Sequence, residues 1–332
     1  MSWARELLQR ATASGRSKDG AKDRAKNSPG RRHLSSGQRP APARTPSSGL
    51  PRPPDLPGAA TRAASLCLVS GKGGTGKSFV TANLACLFAR RGRTLLIDAD
   101  LGVGNAHILQ GVNPDHTLVD LVEGRVPPRR VLTPCRGGLD LLAAGSGISR
   151  VAGLTSPQLA HLARGIDELE TDYRLVLTDS AAGLSNQTLA LACASDLVVL
   201  VTNPDLTAMT DGYAFLKVLL QRRPDCQPLL VVNRVESLEE ARITAERVQG
   251  ACRRFLGREP RWVGALRAER EVLASINRRQ PIVMAAEEAA GSTPAALEEL
   301  AVVLLGELDR LQPRGLGRSL LRSAGYAPAR SQ

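Results

Sequence analysis

No two cysteines lie close together in this sequence: Cys67, Cys86, Cys135, Cys193, Cys226 and Cys252 are widely spaced, with no C-x-x-C. That excludes an iron–sulfur carrier built on local cysteine pairs. It leaves six small apolar side chains of a reduced, cytoplasmic protein. Nor does any apolar run approach the ~18 residues that cross a bilayer. Met1–Arg10 lacks the apolar core of an export signal, although a transit peptide remains an alternative reading of an arginine-rich, acid-poor start. Acids are missing where bases abound. Residues 311–332 carry 4 Arg and no acid, and residues 1–62 carry 13 Lys/Arg against 4 Asp/Glu. Residues 63–310 hold 27 basic and 28 acidic side chains, so the formal net charge of +12 belongs to the tails. A basic body would point to nucleic acid. Basic tails point instead to contact with an anionic surface or a partner.

Large apolar residues are also scarce over 12–62, which is rich in Gly, Ser, Ala, Arg and Pro. Such a stretch cannot bury enough surface to offset the entropy of ordering it. It reads as a disordered basic linker, extended by eight prolines between Pro29 and Pro57. Ahead of it, residues 1–11 place Trp3, Leu7 and Ala11 on one side of a short helix, with Ser2 as N-cap. So short a helix forms when something covers its apolar face; the alternative is a frayed terminus.

From Ser65 the pattern changes. Near-continuous apolar runs at 66–70, 94–100, 139–144, 174–180, 196–203 and 228–233 suit strands buried on both faces of a parallel sheet. Helical spacing over 79–91, 156–171, 186–194, 207–222, 238–256 and 296–311 separates or follows them. The expected fold is α/β: one doubly wound, mostly parallel sheet over 63–311, with chemistry at the carboxyl ends of its strands. After Pro313, RGLGRSLLR clusters Leu316, Leu320 and Leu321 on one helical face and offers Arg314, Arg318 and Arg322 to anionic headgroups. The basic tail 312–332 therefore reads as a membrane-contact segment or, equally, as a disordered tail.

The first strand runs into VSGKGGTGKS, which satisfies G-x-x-x-x-G-K-[ST] between a strand and a helix. Its glycines let backbone N–H groups approach phosphates, and the following helix adds its positive end. The nucleotide-binding set is Gly71, Lys72, Gly73, Gly74, Thr75, Gly76, Lys77, Ser78 and Phe79. Lys77 is placed to meet the β- and γ-phosphates, and the Ser78 hydroxyl to ligate Mg2+. Asp179, at the end of RLVLTDS, would hold the magnesium shell; a strand-end cap is the alternative. Gly183 offers an N–H to the γ-phosphate. IDAD places Asp98 and Asp100 at another strand end, to help position the metal and orient the attacking water, respectively. Two acids on a solvated turn is the alternative. Asn233, also at a strand end, can read an adenine edge or simply terminate the strand.

The second lysine, Lys72, has no role in a single-chain phosphate loop. GKGGTGKS resembles the deviant Walker A motif of the MinD/ParA ATPases, P-loop NTPases of the SIMIBI class. There the extra lysine reaches the partner's nucleotide across an ATP-bound dimer. The resemblance thus implies ATP and Mg2+ as cofactors, slow hydrolysis, an ATP-dependent homodimer and an in-trans role for Lys72. Segments 98–125, 137–147, 178–189 and 202–219 are similar to the FlhG-type (YlxH/FleN) regulators of flagellar number. That likeness implies partners in the signal-recognition-type GTPase FlhF, contacted by an N-terminal helix, and in flagellar C-ring proteins, with peripheral attachment at the inner membrane face. The sequence departs from the family pattern at Ala181, where a glycine is usual, and at Ser2, Trp3 and Leu8 in the N-terminal helix. Division-site placement of the MinD kind, or ParA-like partition on DNA, is the alternative.

Overall fold

A computed structural model describes residues 62–145, 154–285 and 292–323. The helix expected over 1–11 and nearly all of the linker lie outside these residues. In chain order the elements are β1 (Ala64–Val69), α1 (Lys77–Ala89), β2 (Thr94–Ala99), α2 (Ala106–Gln110), α3 (Leu118–Val122), β3 (Leu132–Pro134) and β4 (Leu139–Leu142). Next come α4 (Ser156–Leu169), β5 (Leu175–Ser180), α5 (Asn186–Ala194), β6 (Leu197–Thr202), α6 (Leu206–Arg222), β7 (Leu229–Val235) and α7 (Leu238–Leu256). β8 (Arg261–Arg267), α8 (Arg270–Asn277), α9 (Ser292–Leu308) and α10 (Leu316–Ser323) complete the described chain.

The strands form one sheet in the order β3-β4-β2-β5-β1-β6-β7-β8. Every neighbouring pair is parallel except β3 with β4. The chain winds to one side of β1, returns as β5, and then winds to the other side. The carboxyl end of β1 therefore stands at the switch point where such sheets open a crevice. Strand residues alternate between two cores. Cys67, Val69, Leu95, Ile97, Val198 and Leu200 face α4, α5, α6 and α7. Leu66, Leu68, Leu96, Val199 and Val201 face α1 and α9. Because both faces are covered, the strands read as unbroken apolar runs. Helix α1 lies beneath α9 and is buried on all sides, which its lack of a polar stripe demands.

The tail does not present its leucines to a membrane. Leu316, Leu320 and Leu321 belong to the core, packed against α4 and α5. Gly317 is the point of contact: a Cβ there would overlap the Ala163 carbonyl and the Asp167 backbone. Buried Glu170 receives the N–H groups of Leu316 (2.8 Å) and Gly317 (3.3 Å) at the start of α10 and pairs with Arg62. Arg314 is held by Asp196, which also takes both the N–H and hydroxyl of Ser65 in β1, and Arg318 lies 3.5 Å from Asp167. The amphipathic period within 314–322 does form a helix, but its apolar partner is the protein's own α4–α5 surface, and the folded body extends to at least Ser323. Among the described residues no helix is long and apolar enough to cross a membrane.

This packing predicts that Leu320→Ala lowers stability by about 3 kcal/mol and that Gly317→Ala is also destabilising, both measured by urea titration followed by circular dichroism. A helix lying free in solvent would lose almost nothing at Leu320 and would gain from alanine at 317.

Candidate functional site

The loop after β1 turns through Gly74 and Gly76, both left-handed at φ +82° and +85°. A Cβ on Gly73 or Gly74 would meet nothing within 4 Å, so their backbone faces open space. The other two glycines are needed for close approach. A Cβ on Gly71 would overlap the Asp211–Gly212 backbone of α6, and one on Gly76 would overlap the Asn233 amide nitrogen. That amide donates to the Thr75 carbonyl at 2.8 Å. Asn233 therefore fixes the phosphate loop, with one N–H of its amide engaged there. Arg234 joins it, its guanidinium donating to the Gly74 carbonyl at 3.0 Å from a left-handed backbone at φ 59°. Nothing in the sequence marks Arg234 except a cation ending an apolar run.

Helices α4 to α7 are each N-capped by a side chain, from Thr155, Ser185, Asp205 and Ser237. Helix α1 is not; its N-cap is Gly76, without a side-chain acceptor. Its first N–H groups and its dipole are left for an anion. The Thr75 hydroxyl, buried within the loop, also lacks a partner among the described residues.

Beneath the loop lies a buried cluster of charge. Lys77, 6% exposed, pairs with Asp179, 2% exposed, at 2.5 Å. The Thr81 hydroxyl, one turn along α1, donates to the same carboxylate at 3.2 Å. Asp98 stands beside Asp179 because the parallel register of β2 and β5 aligns these two residues. Asp98 is fully buried and accepts from the Ala106 N–H (3.0 Å) and the Asp100 N–H (3.2 Å). Burial and the neighbouring Asp179 carboxylate push its pKa up to about 7. Asp100, half-buried, accepts from the N–H groups of Gly102 and Val103 and so closes its own turn.

These residues fit a nucleoside triphosphate with a divalent cation. Uncapped N–H groups and open glycines suit the phosphates, and two adjacent buried carboxylates suit the cation. No group of three His, Cys, Asp or Glu able to hold a metal exists among the described residues. The cation would rest on Ser78, Asp98 or Asp179 and the ligand's own oxygens, as Mg2+ usually does.

Lys72 lies apart from this cluster. Its ammonium, about two-fifths exposed, bonds Asp205 (2.8 Å) and Thr207 (2.6 Å) at the start of α6. Lys72, with help from Thr207, holds the Asp205 carboxyl down to about 2. The Gly183 N–H donates to the Ser70 carbonyl at 2.9 Å, so a γ-phosphate would have to take it from that bond. Gly183 is left-handed at φ +84°, whereas Ala181 is not among the left-handed residues. Alanine at 181 therefore carries no backbone strain.

The profile of the CobQ/CobB/MinD/ParA nucleotide-binding domain matches residues 66–289, two thirds of the chain. The chain belongs to this MinD/ParA family. Within it, the chain is similar to antiactivator FleN of Pseudomonas aeruginosa, 30% identical over 218 residues, 65% of this chain and 78% of FleN. It is also similar to the flagellum site-determining protein YlxH of Helicobacter pylori, 31% identical over 188 residues, 55% of this chain and 62% of YlxH. The fold is shared with the septum site-determining protein MinD of Pyrococcus horikoshii, solved with Mg-ADP: TM-score 0.61, 22% identity, covering 75% of this chain and 100% of that one. The matched nucleotide-binding domain spans the uncapped loop, and MinD/ParA members are ATPases.

The Asp98 environment yields a pH dependence. With an ordinary carboxyl pKa of 3.8 when unfolded and about 7 when folded, the folded chain holds the extra proton in between. Stability therefore falls as pH rises through that window, and the full cost is present above 7. Asp98→Asn is expected to raise the melting temperature of the nucleotide-free protein at pH 8, with an advantage that shrinks toward pH 5. Scanning fluorimetry across this range checks it; a difference independent of pH would refute the assignment.

Proposed function

We propose that this MinD/ParA protein is an ATP-driven dimerisation switch that sets the number or placement of flagella. The observation that carries the switch is the position of Lys72. It sits in the phosphate loop yet points away from the buried Lys77–Asp179 cluster, half in solvent, on Asp205 and Thr207. A lysine placed there can leave its exposed partners and neutralise phosphate charge on a second copy, as an arginine finger does in other NTPases. Exchanging an exposed ion pair costs little. Val103, Leu184 and Leu206 are large, exposed and apolar, and they follow β2, β5 and β6 at the same end of the sheet. A second copy laid over that end would cover them. Asp100 would then orient the attacking water, and slow hydrolysis would return the chain to a monomer. The flagellar assignment rests on the likeness to FleN and YlxH. Residues 1–11 would contact the GTPase FlhF, and the body the C-ring proteins.

Size-exclusion chromatography tests the switch. The protein should dimerise with ATP and not with ADP, Lys72→Ala should bind ATP and stay monomeric, and Lys77→Ala should lose tight binding. Asp100→Ala should accumulate as dimer. Normal dimerisation of Lys72→Ala would rule out the in-trans role. Deleting the gene and counting both flagella and minicells separates flagellar control from division-site placement, since altered septation with unchanged flagellation would favour the latter.

A further inference from the structure

A second cavity lies away from the nucleotide loop. It encloses about 290 Å³ and is walled by Cys86, Gln110, Arg136, Arg278, Arg279 and Met284, among others. Cys86 is nine residues along α1 from Lys77, ~13 Å at helical rise. Arg136 precedes β4 at the edge of the sheet where the strands begin, since Leu139 is in register with Thr94, the first residue of β2. The nucleotide loop is at the opposite, carboxyl edge.

Arg136, Arg278 and Arg279 line this cavity, and among the described residues no carboxylate lines it. Arg136 and Arg278 are exposed and form no ion pair among the described residues. Arg279 spends part of its fork on the Val112 carbonyl (3.3 Å) and the Asn113 side chain (3.2 Å). Its backbone is left-handed at φ 53°, one of two non-glycine residues so strained among those described; the other is Arg234 at the phosphate loop. A Cβ on Gly111, the left-handed cap of α2, would overlap the Arg279 carbonyl, so the cap is pressed against the strained residue and holds it in place. The positive field reaches the neighbouring groups. His107 is lowered by burial and then by Arg279, and the Cys86 thiol, raised to about 11 by burial, is drawn partly back by Gln110, Arg90 and Arg136.

Like charges gathered in a recess repel one another unless an anion sits among them. Planar guanidinium forks match phosphate oxygens in pairs. Strained backbone outside glycine gathers where a ligand is held. The volume is close to the lower end of small-ligand pockets. We infer that this arginine-lined cavity is a second anion site, distinct from the nucleotide loop, which binds a small phosphate-bearing molecule. A phospholipid headgroup shares that chemistry, but a recess walled by α1 and α2 suits a free ligand better than a flat surface.

Inorganic pyrophosphate is the probe. The full-length protein, saturated with Mg2+ and ADP so that the phosphate loop is filled, is titrated with pyrophosphate by calorimetry. One further saturable site per chain is expected. Arg136→Ala/Arg278→Ala should weaken it at least tenfold while ADP affinity stays the same; both arginines are exposed, and circular dichroism verifies the fold. Absence of a further site, displacement of pyrophosphate by ADP, or equal binding by the double variant would overturn the inference. The same proteins are sedimented with phosphatidylglycerol vesicles. The double substitution should leave that behaviour unaltered, and loss of vesicle binding without a pyrophosphate site would overturn the inference in favour of a lipid headgroup.

Discussion

The fold is organised around one unfavourable act, the burial of Lys77, Asp179 and Asp98 beneath a glycine loop. Removing such charges from water costs several kcal/mol per ion, and the attraction between Lys77 and Asp179 offsets this only with good geometry and further hydrogen bonds. Both conditions are met by the scaffold. Parallel pairing of β2 with β5 aligns Asp98 with Asp179. Helix α1 brings Thr81 to Asp179 one turn below Lys77. The first residue of α2 gives its N–H to Asp98. Two strands and two helices are thus committed to satisfying three side chains, and the excess negative charge is left for a cation to relieve.

Fixing the loop above that cluster takes a second set of contacts, from the far side of the switch point. Asn233 and Arg234, at the end of β7, hold the carbonyls of Thr75 and Gly74. The backbone of Asp211 and Gly212 in α6 fills the space beside Gly71. The loop is therefore pinned by elements that follow it by more than 130 residues, while the start of α1 carries no side-chain cap among the described residues. An anion site that is rigid before its ligand arrives gives up less freedom on binding.

Much of this was legible in the sequence, for identifiable reasons. The strands declared themselves because a sheet covered on both faces leaves no polar alternation. The phosphate loop and the strand-end acids Asp98, Asp100 and Asp179 were legible because the parallel sheet places every strand's carboxyl end at one edge. The shortest elements, β3, α2 and α3, carry too few residues for a period to register. The fate of Leu316, Leu320 and Leu321 was hidden because an amphipathic face states that it needs an apolar partner, not whether that partner is lipid or α4. Gly317 lets α10 approach Ala163, a contact that no local pattern encodes. Asn233 was recognised as a strand-end amide, but its partner, the Thr75 carbonyl, is 158 residues away.

The left-handed arginines show what pattern reading cannot reach. Neither Arg234 nor Arg279 is followed by glycine or set in a turn signature, yet each occupies backbone space that costs on the order of 1–3 kcal/mol outside glycine. Each is held there by a contact from a distant element: the Gly74 carbonyl for Arg234, and the Gly111 cap with Val112 and Asn113 for Arg279. Arg234 lies at the phosphate loop, and Arg279 lines the arginine cavity. Helix α1 runs from one to the other, and α2 lies against it, its first residue on Asp98 and its last, Gln110, on the Ala82 carbonyl at the arginine cavity. A shift of α2 along α1 would alter both its bond to Asp98 and the wall that Gln110 and Gly111 give to the cavity. The two recesses thus share α2 as a common wall, with Ala106 at one and Gln110 at the other.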